Sequence, residues 1–353
     1  MYTQSARAQF NSLRDKPDAV ILGIESSCDE TAAAVVRGGR EVLSNVISSQ
    51  IEIHRRFGGV VPEVASRNHT LALPAVIDEA LRTANISASE LDAVAVTYGA
   101  GLIGALLVGV SSAKAYAYAI HKPLVAVNHI EAHVSANYIS DPDLEPPFIA
   151  LVASGGHTLL LDVSAYNKFE RLGGTLDDAL GEAFDKVARV LGLPYPGGPN
   201  VEKKAAGGNA NISFYKHPKA VRGDLALSYS GLKTAVVNYV HTLTQKGEAV
   251  PVEDICASFM REATDLLVRT AAEAVRRAGR SRLVLAGGVA SNGYLRAQLS
   301  ARGTADGFTV SFPPPVLCTD NAAMVASRAY FMAREGLGES CDLSLNAKSH
   351  IAF

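Results

Sequence analysis

The sequence has few cysteines and no long uninterrupted run of apolar residues. Its four cysteines are scattered and form no Cys-x-x-Cys pair: Cys28, Cys256, Cys318 and Cys341. This spacing argues against a disulfide framework and a cysteine zinc site, and it agrees with a reducing cytoplasm. The most apolar stretch, residues 101–120, is interrupted by Lys114 and by several glycines and serines. Because a membrane span needs about 20 predominantly apolar residues, we expect a cytoplasmic protein that does not contact a membrane.

An excess of charge of either sign is also missing, since the formal net charge is −2 over 353 residues. This balance argues against a generally basic nucleic-acid binder, so that a contact with nucleic acid must use a local patch. Three short clusters are candidates for such a patch, although clusters of this size are usually just solvated. They are His54-Arg55-Arg56, Lys203-Lys204 and Lys216-His217-Pro218-Lys219.

The N-terminal segment lacks the apolar core of a signal peptide. Its first 17 residues are polar and include Arg7, Arg14 and Lys16 but only one acid, Asp15. A weak organellar transit peptide is one interpretation. We expect instead that residues 1–17 form a flexible tail.

Each half of the remaining chain opens with the same pattern of apolar and polar residues. In the first half, the polar turn 25–31 lies between the apolar runs 19–23 and 32–36. After a proline-rich break at 141–147, the turn 154–158 lies between two further apolar runs. Such runs predict two strand-turn-strand units. The weak repeat predicts two similar lobes that face a cleft.

Helices and further strands fill out both halves. The predicted strands are 41–50, 91–97, 123–127 and 283–285, and the predicted helices are 62–84, 101–120, 176–191, 255–278, 293–302, 322–334 and one that begins at 201. We expect an α/β fold, with lobe one at 18–140 completed by 320–345, and lobe two at 147–319.

Two histidines stand four residues apart in the segment Val127-Asn128-His129-Ile130-Glu131-Ala132-His133. In a helix, residues at this spacing share one face about 6 Å apart, so both imidazoles can bind one metal ion. Glu131 points to the opposite face, unlike the glutamate of the HExxH motif. A carboxylate is a common third ligand beside two histidines, and Asp320, at the start of a helix, is our candidate. The alternatives are two surface histidines and an N-cap aspartate.

Several small polar turns are candidates for a substrate site. Ser154-Gly155-Gly156 can present backbone N–H groups to phosphate oxygens, or it is a plain hairpin turn. The strand 285–286, followed by Gly287-Gly288 and a helix capped by Asn292, can hold a nucleotide at a helix N-terminus or be a tight connection.

Four acidic residues lie in or beside turns of this kind. Glu202 follows the Gly197-Gly198-Pro199 turn and can bind ribose hydroxyls. Asp185 is either a ligand or a buried partner of Lys186. Asp29 and Glu30 are either a solvated turn or the acidic side of an active site.

Taken together, eight motifs make the chain similar to the bacterial TsaD family, formerly labelled O-sialoglycoprotein endopeptidases. The similarity runs from about residue 21 to about residue 334 in the family's order. The motifs are Ile24-Glu25-Ser26-Ser27-Cys28-Asp29-Glu30-Thr31, Gly58-Gly59-Val60-Val61-Pro62-Glu63-Val64-Ala65-Ser66-Arg67, His129-Ile130-Glu131-Ala132-His133, Ser154-Gly155-Gly156-His157-Thr158, Gly181-Glu182-Ala183-Phe184-Asp185-Lys186, Tyr195-Pro196-Gly197-Gly198-Pro199, Ser230-Gly231-Leu232-Lys233 and Ala286-Gly287-Gly288-Val289.

The resemblance implies a fold, an activity and a set of ligands. The fold is the two-lobed one of actin, sugar kinases and heat-shock ATPases, with the active site in the cleft. The activity is the transfer of a threonylcarbamoyl group from threonylcarbamoyl-AMP to the exocyclic amine of the adenosine 3′ of the anticodon, in tRNAs that read codons beginning with A. One divalent metal is implied for each subunit, for which we expect Fe(II), with Zn(II) as the alternative.

The resemblance also assigns residues and partners. His129, His133 and Asp320 hold the metal; the substrate is bound by Val152, Ala153, Ser154, Gly155, Gly156, Asp185, Gly198, Glu202 and Asn292. For a catalytic base we expect Asp29 or Glu30, with the substrate phosphate as the alternative. The implied partners are tRNA, a TsaB-like paralogue that pairs with lobe one, and a small TsaE-like ATPase. The small-residue helix 101–120 is a candidate partner surface, or it is buried in the core.

Three other functions compete with this one. A sugar kinase shares the fold but leaves the two histidines and Asp320 unused. A metalloprotease uses the histidines, but Glu131 is on the wrong helix face to activate a water molecule. A nucleotide-binding scaffold without catalysis would tolerate the loss of His129.

Overall fold

The computed structural model describes residues 2–214, 225–336 and 343–351. The predicted basic cluster at 216–219 and Cys341 lie outside these ranges. Among the described helices, none combines the length and the apolar content that a membrane crossing requires.

The first sheet has five strands in the order β3-β2-β1-β4-β5. The strands β1 (Val20–Glu25), β2 (Glu30–Arg37) and β3 (Glu41–Ser49) are antiparallel neighbours, and β4 (Ala93–Gly99) and β5 (Leu124–Asn128) continue the sheet in parallel. The helices α2 (Ile51–Arg55), α3 (Pro62–Ala84) and α4 (Ile103–Ala119) connect these strands. Leucine, isoleucine, valine and alanine side chains from β1, β2, β4, α3 and α4 form one buried cluster.

The second sheet repeats this arrangement with one additional strand. Its order is β11-β10-β6-β7-β8-β9, where β6 (Phe148–Ala153), β7 (Thr158–Ala165) and β8 (Lys168–Thr175) are the antiparallel unit. The strands β10 (Arg282–Ala286) and β11 (Thr309–Ser311) extend it in parallel beside β6, and β9 (Leu225–Leu227) pairs with β8. The matching strand orders confirm the two-lobed α/β fold that the sequence repeat predicts. The exact lobe limits stay a prediction.

Among the described residues between 148 and 311, five helices accompany the strands of the second sheet. They are α6 (Leu180–Val190), α7 (Gly197–Ala205), α8 (Ser230–Lys246), α9 (Val252–Ala278) and α10 (Gly293–Asp306). The strands β8 and β9 were not predicted. The polar residues of β8, Lys168, Glu170 and Arg171, hide its period of two. Helix α6 begins at Leu180 rather than at 176, and α7 begins at Gly197 rather than at 201.

The two sheets are joined by a common apolar core. It contains α5 (His129–Ser140) and α12 (Ala322–Arg334), with buried side chains from strands of both sheets, including Ile21, Phe148 and Val284. A Cβ at Gly23 of β1 would stand 2.2 Å from the carbonyl oxygen of Ala322, so only glycine lets α12 approach so closely. The short helix α11 (Pro315–Cys318) precedes α12. This core places the start of α5 and the start of α12 side by side between the lobes.

The prediction of a flexible N-terminal tail is wrong over most of its length. Residues Tyr2–Ser12 form helix α1, in which Ala6 and Phe10 are buried in the common core. Together with Leu13 they form a stripe with spacings of four and three, which is the period of an amphipathic helix. Fully burying a phenylalanine side chain stabilises the fold by about 1.5–3 kcal/mol, so Phe10 contributes to holding this short helix against the core.

Candidate metal centre in the cleft between the lobes

Three predicted ligands meet where α5 and α12 begin. Asn128 caps α5 by accepting a hydrogen bond from the backbone of Ile130, so His129 occupies the first helical position and His133 lies one turn further on. Asn321, rather than Asp320, caps α12. The carboxylate of Asp320 is therefore not needed as a helix cap and points at the histidines.

The donor atoms of these residues converge. Asp320 Oδ1 lies 3.2 Å from His133 Nε2 and 3.6 Å from His129 Nε2, and one ligand atom from each residue lies within 4.8 Å of the others. Ligands held about 2.1 Å from a common ion are about 3–3.5 Å apart. His133 Nε2 is buried and, although it lies 3.2 Å from Asp320 Oδ1, it makes no hydrogen bond of acceptable geometry to any described residue. The three residues therefore fit a divalent metal ion.

A buried carboxylate orients the first of these histidines. Glu25, at the end of β1, is fully buried, and its Oε2 lies 3.2 Å from His129 Nδ1. The hydroxyl of Thr97 and the backbone N–H of Ser27 each donate to Glu25 at 2.6 Å. A ligating histidine commonly donates its second nitrogen to such a carboxylate, which fixes the ring and makes it a better ligand. Glu25 was not among the predicted site residues; the only signal was an acid at the end of an apolar strand.

The pKa values follow from this crowding of charge. Burial lowers the pKa of His129, but Glu25 and Asp320 outweigh burial and raise it to about 9. Burial alone would raise the pKa of Asp320, but His129 and His133 hold it at about 2. Burial and the charge of His129 lower the pKa of His133. The same anions that hold a proton on His129 attract a cation, so a metal ion can take the place of that proton.

The glutamate of the histidine motif has a different role. Glu131 Oε2 lies 2.6 Å from Arg328 Nη2, and this arginine of α12 is buried. The pair joins α5 to α12. Because Glu131 lies midway between His129 and His133 in the helix, its side chain points away from the face that these histidines share. No protease base is therefore present at this position.

The predicted phosphate-binding turn of the second lobe lies open. No atom of the described residues comes within 4 Å of where a Cβ would stand on Gly155 or Gly156. The turn is closed by Ser154, whose backbone N–H donates to the carbonyl of His157 at 2.8 Å. By contrast, the side chains of Val152 and Ala153 are buried in strand β6, and their contact with a substrate stays a prediction.

Asp185 and Glu202 lie within α6 and α7, whereas Gly198 and Asn292 lie at the starts of α7 and α10. Asp185 Oδ1 accepts the backbone N–H of Gly197 at 2.6 Å, and Glu202 Oε1 accepts that of Gly293 at 2.7 Å. Asn292 caps α10 by accepting from Leu295. At Gly198, no described atom lies within 4 Å of the position that a Cβ would take. These contacts link Asp185 to the start of α7, and Glu202 to the start of α10.

The proposed pairing of Asp185 with Lys186 is not seen. Lys186 Nζ instead lies 2.7 Å from Glu182 and 3.0 Å from Asp178. Burial raises the pKa of Asp185, although the Gly197 N–H opposes this effect.

Asp29 and Glu30 lie in the first turn of lobe one. Asp29 is buried, and burial together with the charge of Asp320 raises its pKa. Burial raises the pKa of Glu30 to about 8, against the hydrogen bond that Ser49 Oγ donates at 2.9 Å. Both carboxyls can therefore hold a proton at neutral pH more readily than a solvated acid.

Two motif residues that were given no role also face this region. Burial and the charges of His129 and His133 lower the pKa of His157 to about 4, so this half-buried ring is neutral. The hydroxyl of Tyr195 donates to Asp29 Oδ2 at 3.3 Å. Both residues belong to motifs of the family, but nothing in their spacing indicates these contacts.

Solved structures share this architecture. The chain is similar to HypF from T. kodakarensis, with a TM-score of 0.60 and 16% identity over 91% of this chain and 48% of that one. It is also similar to component A of the (R)-2-hydroxyglutaryl-CoA dehydratase of Acidaminococcus fermentans, with a TM-score of 0.53 and 15% identity over 89% of this chain and 99% of that one. The molecule is thus a protein of the actin, sugar-kinase and heat-shock-ATPase fold, with a candidate metal centre in its cleft.

Sequence comparison identifies the family within this fold class. The family model described as TsaD, tRNA N6-adenosine threonylcarbamoyltransferase, matches residues 41–327. Proteins of that name from Clostridium perfringens and Clostridioides difficile are 54% and 51% identical to this chain, over 94% of it and 97% of each relative. The chain belongs to the tRNA N6-adenosine threonylcarbamoyltransferase family.

Proposed function

We propose that the protein transfers the threonylcarbamoyl group of threonylcarbamoyl-AMP to a tRNA. The acceptor is the exocyclic N6 amine of the adenosine 3′ of the anticodon, in tRNAs that read codons beginning with A. The observation that carries the proposal is the convergence of His129, His133 and Asp320 beside an open glycine turn, in a member of this family. Because the acceptor is a tRNA, we place the reaction in the cytoplasm.

The transfer forms one bond and breaks one. The N6 nitrogen bonds to the carbamoyl carbon, the bond from that carbon to the phosphate oxygen breaks, and AMP leaves with the electron pair. The amine loses one proton. Asp29 is the residue we propose to accept it, with Glu30 or the phosphate of the substrate as the alternatives. A raised pKa makes a carboxylate a better proton acceptor near neutral pH, and the pKa of both residues is raised.

The metal site supports the same reaction. His129, His133 and Asp320 would hold one divalent cation, Fe(II) in our proposal with Zn(II) as the alternative, which supplies Lewis-acid polarisation of substrate oxygens. Glu25 fixes the ring of His129, so this ligand is oriented before the substrate arrives. A sugar kinase has no use for such a centre, and Glu131 is already bound to Arg328.

The second lobe would hold the adenylate part of the donor. Gly155, Gly156 and Gly198 leave room for a ligand against the backbone, where N–H groups can bind phosphate oxygens. One oxygen of Glu202 is fixed by the Gly293 N–H, which leaves the other for a ribose hydroxyl. Asp185 and Asn292 complete the proposed pocket. The backbone of Val152, Ala153 and Ser154, rather than their side chains, would border it.

A single-turnover assay tests the function. Pure protein is loaded with Fe(II) or Zn(II) and mixed with threonylcarbamoyl-AMP and unmodified tRNA, with and without TsaB-like and TsaE-like proteins, and the nucleosides are measured by mass spectrometry. We expect modified adenosine from the unaltered protein and none from Asp320→Ala. The matched control is Asp306→Ala, a surface aspartate of α10 that pairs with Arg302, which should retain activity. ATP turnover without modified adenosine would instead favour a kinase.

The partner surface that we propose lies on lobe one. Leu71 of α3 is 80% exposed, and Ile103 and Leu107 of α4 are 48% and 47% exposed. Exposed apolar residues on two packed helices fit a protein partner, here a TsaB-like paralogue. Replacing Leu71 and Leu107 together by glutamate should abolish co-elution with that paralogue and leave the melting temperature unchanged. Unchanged co-elution would exclude this surface. The TsaE-like ATPase is proposed from the family resemblance alone.

A further inference from the structure

The mouth of the cleft is bridged by polar contacts between the lobes. Arg189, at the end of α6, donates from Nη2 to the carbonyl of Gly58 at 2.6 Å. Arg55, at the end of α2, donates from Nε to the carbonyl of Tyr195 at 3.2 Å. The third bridge is the hydrogen bond from the Tyr195 hydroxyl to Asp29. All three join the segment 189–195 of lobe two to the segments 29 and 55–58 of lobe one.

The opposite side of the cleft is built differently. There α5 and α12 share an apolar core with strands of both sheets, and Asn137 of α5 donates to the carbonyl of Leu285 at 2.9 Å. Opening that side would expose buried apolar surface to water, which is unfavourable in proportion to the area. Opening the mouth only exchanges hydrogen bonds for bonds to water, and the net cost of each exchange is small. The lobes can therefore separate at the mouth while they stay joined at the core.

Tyr195 occupies a particular place among these contacts. Its carbonyl accepts a hydrogen bond from Arg55 of lobe one, and its hydroxyl donates to Asp29. Burial and the charges of Asp29 and Asp185 raise the pKa of this hydroxyl. It thus stands between the proposed base and a proposed adenylate-binding residue. The side chain is half-buried, and its hydroxyl reaches Asp29 in lobe one.

We propose that Tyr195 is a positioning residue that orients Asp29 when the lobes close, and that Arg55 and Arg189 hold the closed state. This inference rests on the proposed function, since it assigns Asp29 to the transfer. In the closed state the hydroxyl of Tyr195 fixes one oxygen of Asp29, which leaves the other for the acceptor amine. In the open state Asp29 loses that bond, and the donor can enter or AMP can leave.

A kinetic comparison tests the positioning role. Tyr195→Phe removes the hydroxyl and keeps the ring, so a role in packing alone would leave the rate unchanged. We expect the single-turnover rate to fall about tenfold, while the donor concentration at half-saturation stays within about twofold. The matched control is Tyr239→Phe, a half-buried tyrosine of α8 that packs on Phe214, which should behave as the unaltered protein. An unchanged rate in Tyr195→Phe would overturn the proposal.

A second measurement tests the closed state without using activity. Amide hydrogen exchange is followed by mass spectrometry in peptides that cover residues 51–61 and 189–197. We expect Arg189→Ala to speed exchange in both peptides, because exchange reports local opening. Arg302→Ala, a surface arginine of α10, should leave both unchanged. Equal exchange in Arg189→Ala and the unaltered protein would overturn the role of the bridges.

The two measurements also separate this inference from the proposed function. If the unaltered protein makes no modified adenosine, the proposed function fails, and with it the role of Tyr195 in the transfer, while the exchange experiment still decides whether the bridges hold the lobes. If the unaltered protein is active and both variants match it, the function stands and this inference fails.

Discussion

The first turns of the two lobes differ, although each follows the first strand of the same three-stranded antiparallel unit. The turn of lobe one, Ser26–Asp29, is closely packed: Ser26 and Ser27 are buried, and Glu25 just before them is fully buried. The turn of lobe two, Ser154–His157, carries two exposed glycines with open space around them. The first turn is packed against α4 and the candidate metal ligand His129, whereas the second faces the cleft.

This difference indicates that the two turns have different roles. In lobe one, the hydroxyl of Ser27 lies 3.2 Å from His129 Nδ1, and its carbonyl accepts the N–H of Leu102 at 2.8 Å, so the turn fixes the orientation of a ligand. In lobe two, the absence of side chains at Gly155 and Gly156 leaves a volume that a substrate can fill. The turn of lobe one orients the side chain of His129, and the turn of lobe two leaves space that a bound substrate can occupy.

The largest difference in stability is expected when one methyl group is added at Gly101, beside the turn of lobe one, or at Gly155, in the turn of lobe two. At Gly101 a Cβ would stand 2.6 Å from the carbonyl oxygen of Ser27, so Gly101→Ala must displace the turn of lobe one. We expect a loss of about 2–5 kcal/mol in the free energy of unfolding, from overpacking and backbone strain. Gly155→Ala meets no atom and should change it by less than about 0.5 kcal/mol. Urea unfolding of both variants is the measurement. Equal stabilities would contradict the difference in packing between the two turns.

The second prediction concerns the carboxylate behind the first turn. Glu25→Gln keeps the shape of the side chain and removes its charge, so His129 loses the anion that orients it. We expect metal affinity to fall by about 10- to 100-fold, measured by competition with a chelator and elemental analysis. Glu131→Gln is the control, because this residue of the same motif contacts Arg328 instead. Equal metal loss in both variants would show that Glu25 has no special role.

The sequence was sufficient for the two-lobed fold and for the three residues of the candidate metal centre. The repeat of apolar runs is local, and so is the spacing of His129 and His133, which the helical period alone converts into a shared face. Asp320 is far away in sequence, and it came from the chemistry of metal ligands and from the family resemblance. The structure brings all three together.

Other features depend on contacts that no local pattern records. Glu25 is one acid at the end of an apolar strand, and only the folded chain shows that it faces His129. The stripe of Ala6, Phe10 and Leu13 is short, and only the folded chain shows that it packs against distant residues of the common core. The apolar run that contains Val152 and Ala153 does not by itself show that both side chains are buried, which follows from the packing of both faces of β6. The tertiary environment decides each of these cases.

The third prediction uses the acid at the end of the first turn. The pKa of Glu30 is raised to about 8 from an ordinary value of 4.5, so the folded protein holds this proton more tightly than the unfolded chain. Its contribution to stability is present below pH 4.5 and is lost as the pH rises towards 8. Glu30→Gln lacks this loss. Relative to the unaltered protein, it should gain about 1–2 kcal/mol in unfolding free energy between pH 5 and pH 8, after allowance for partial exposure.

The control for this pH series is Glu63→Gln on α3, an exposed glutamate that pairs with Arg67. Its stability relative to the unaltered protein should not change between pH 5 and pH 8. A Glu30→Gln variant whose advantage does not grow with pH would contradict the raised pKa.

The smallest effect returns to the open turn and to the variant that leaves stability unchanged. If Gly155 makes room for the donor, then the methyl group of Gly155→Ala occupies space that the donor needs. We expect the affinity for AMP or threonylcarbamoyl-AMP, measured by calorimetry, to fall about fivefold, or about 1 kcal/mol. The metal content should not change, because Gly155 supplies no side chain to the candidate metal centre of His129, His133 and Asp320. A variant with normal stability and normal donor affinity would show that the space at Gly155 is solvent and that the donor binds elsewhere in the cleft.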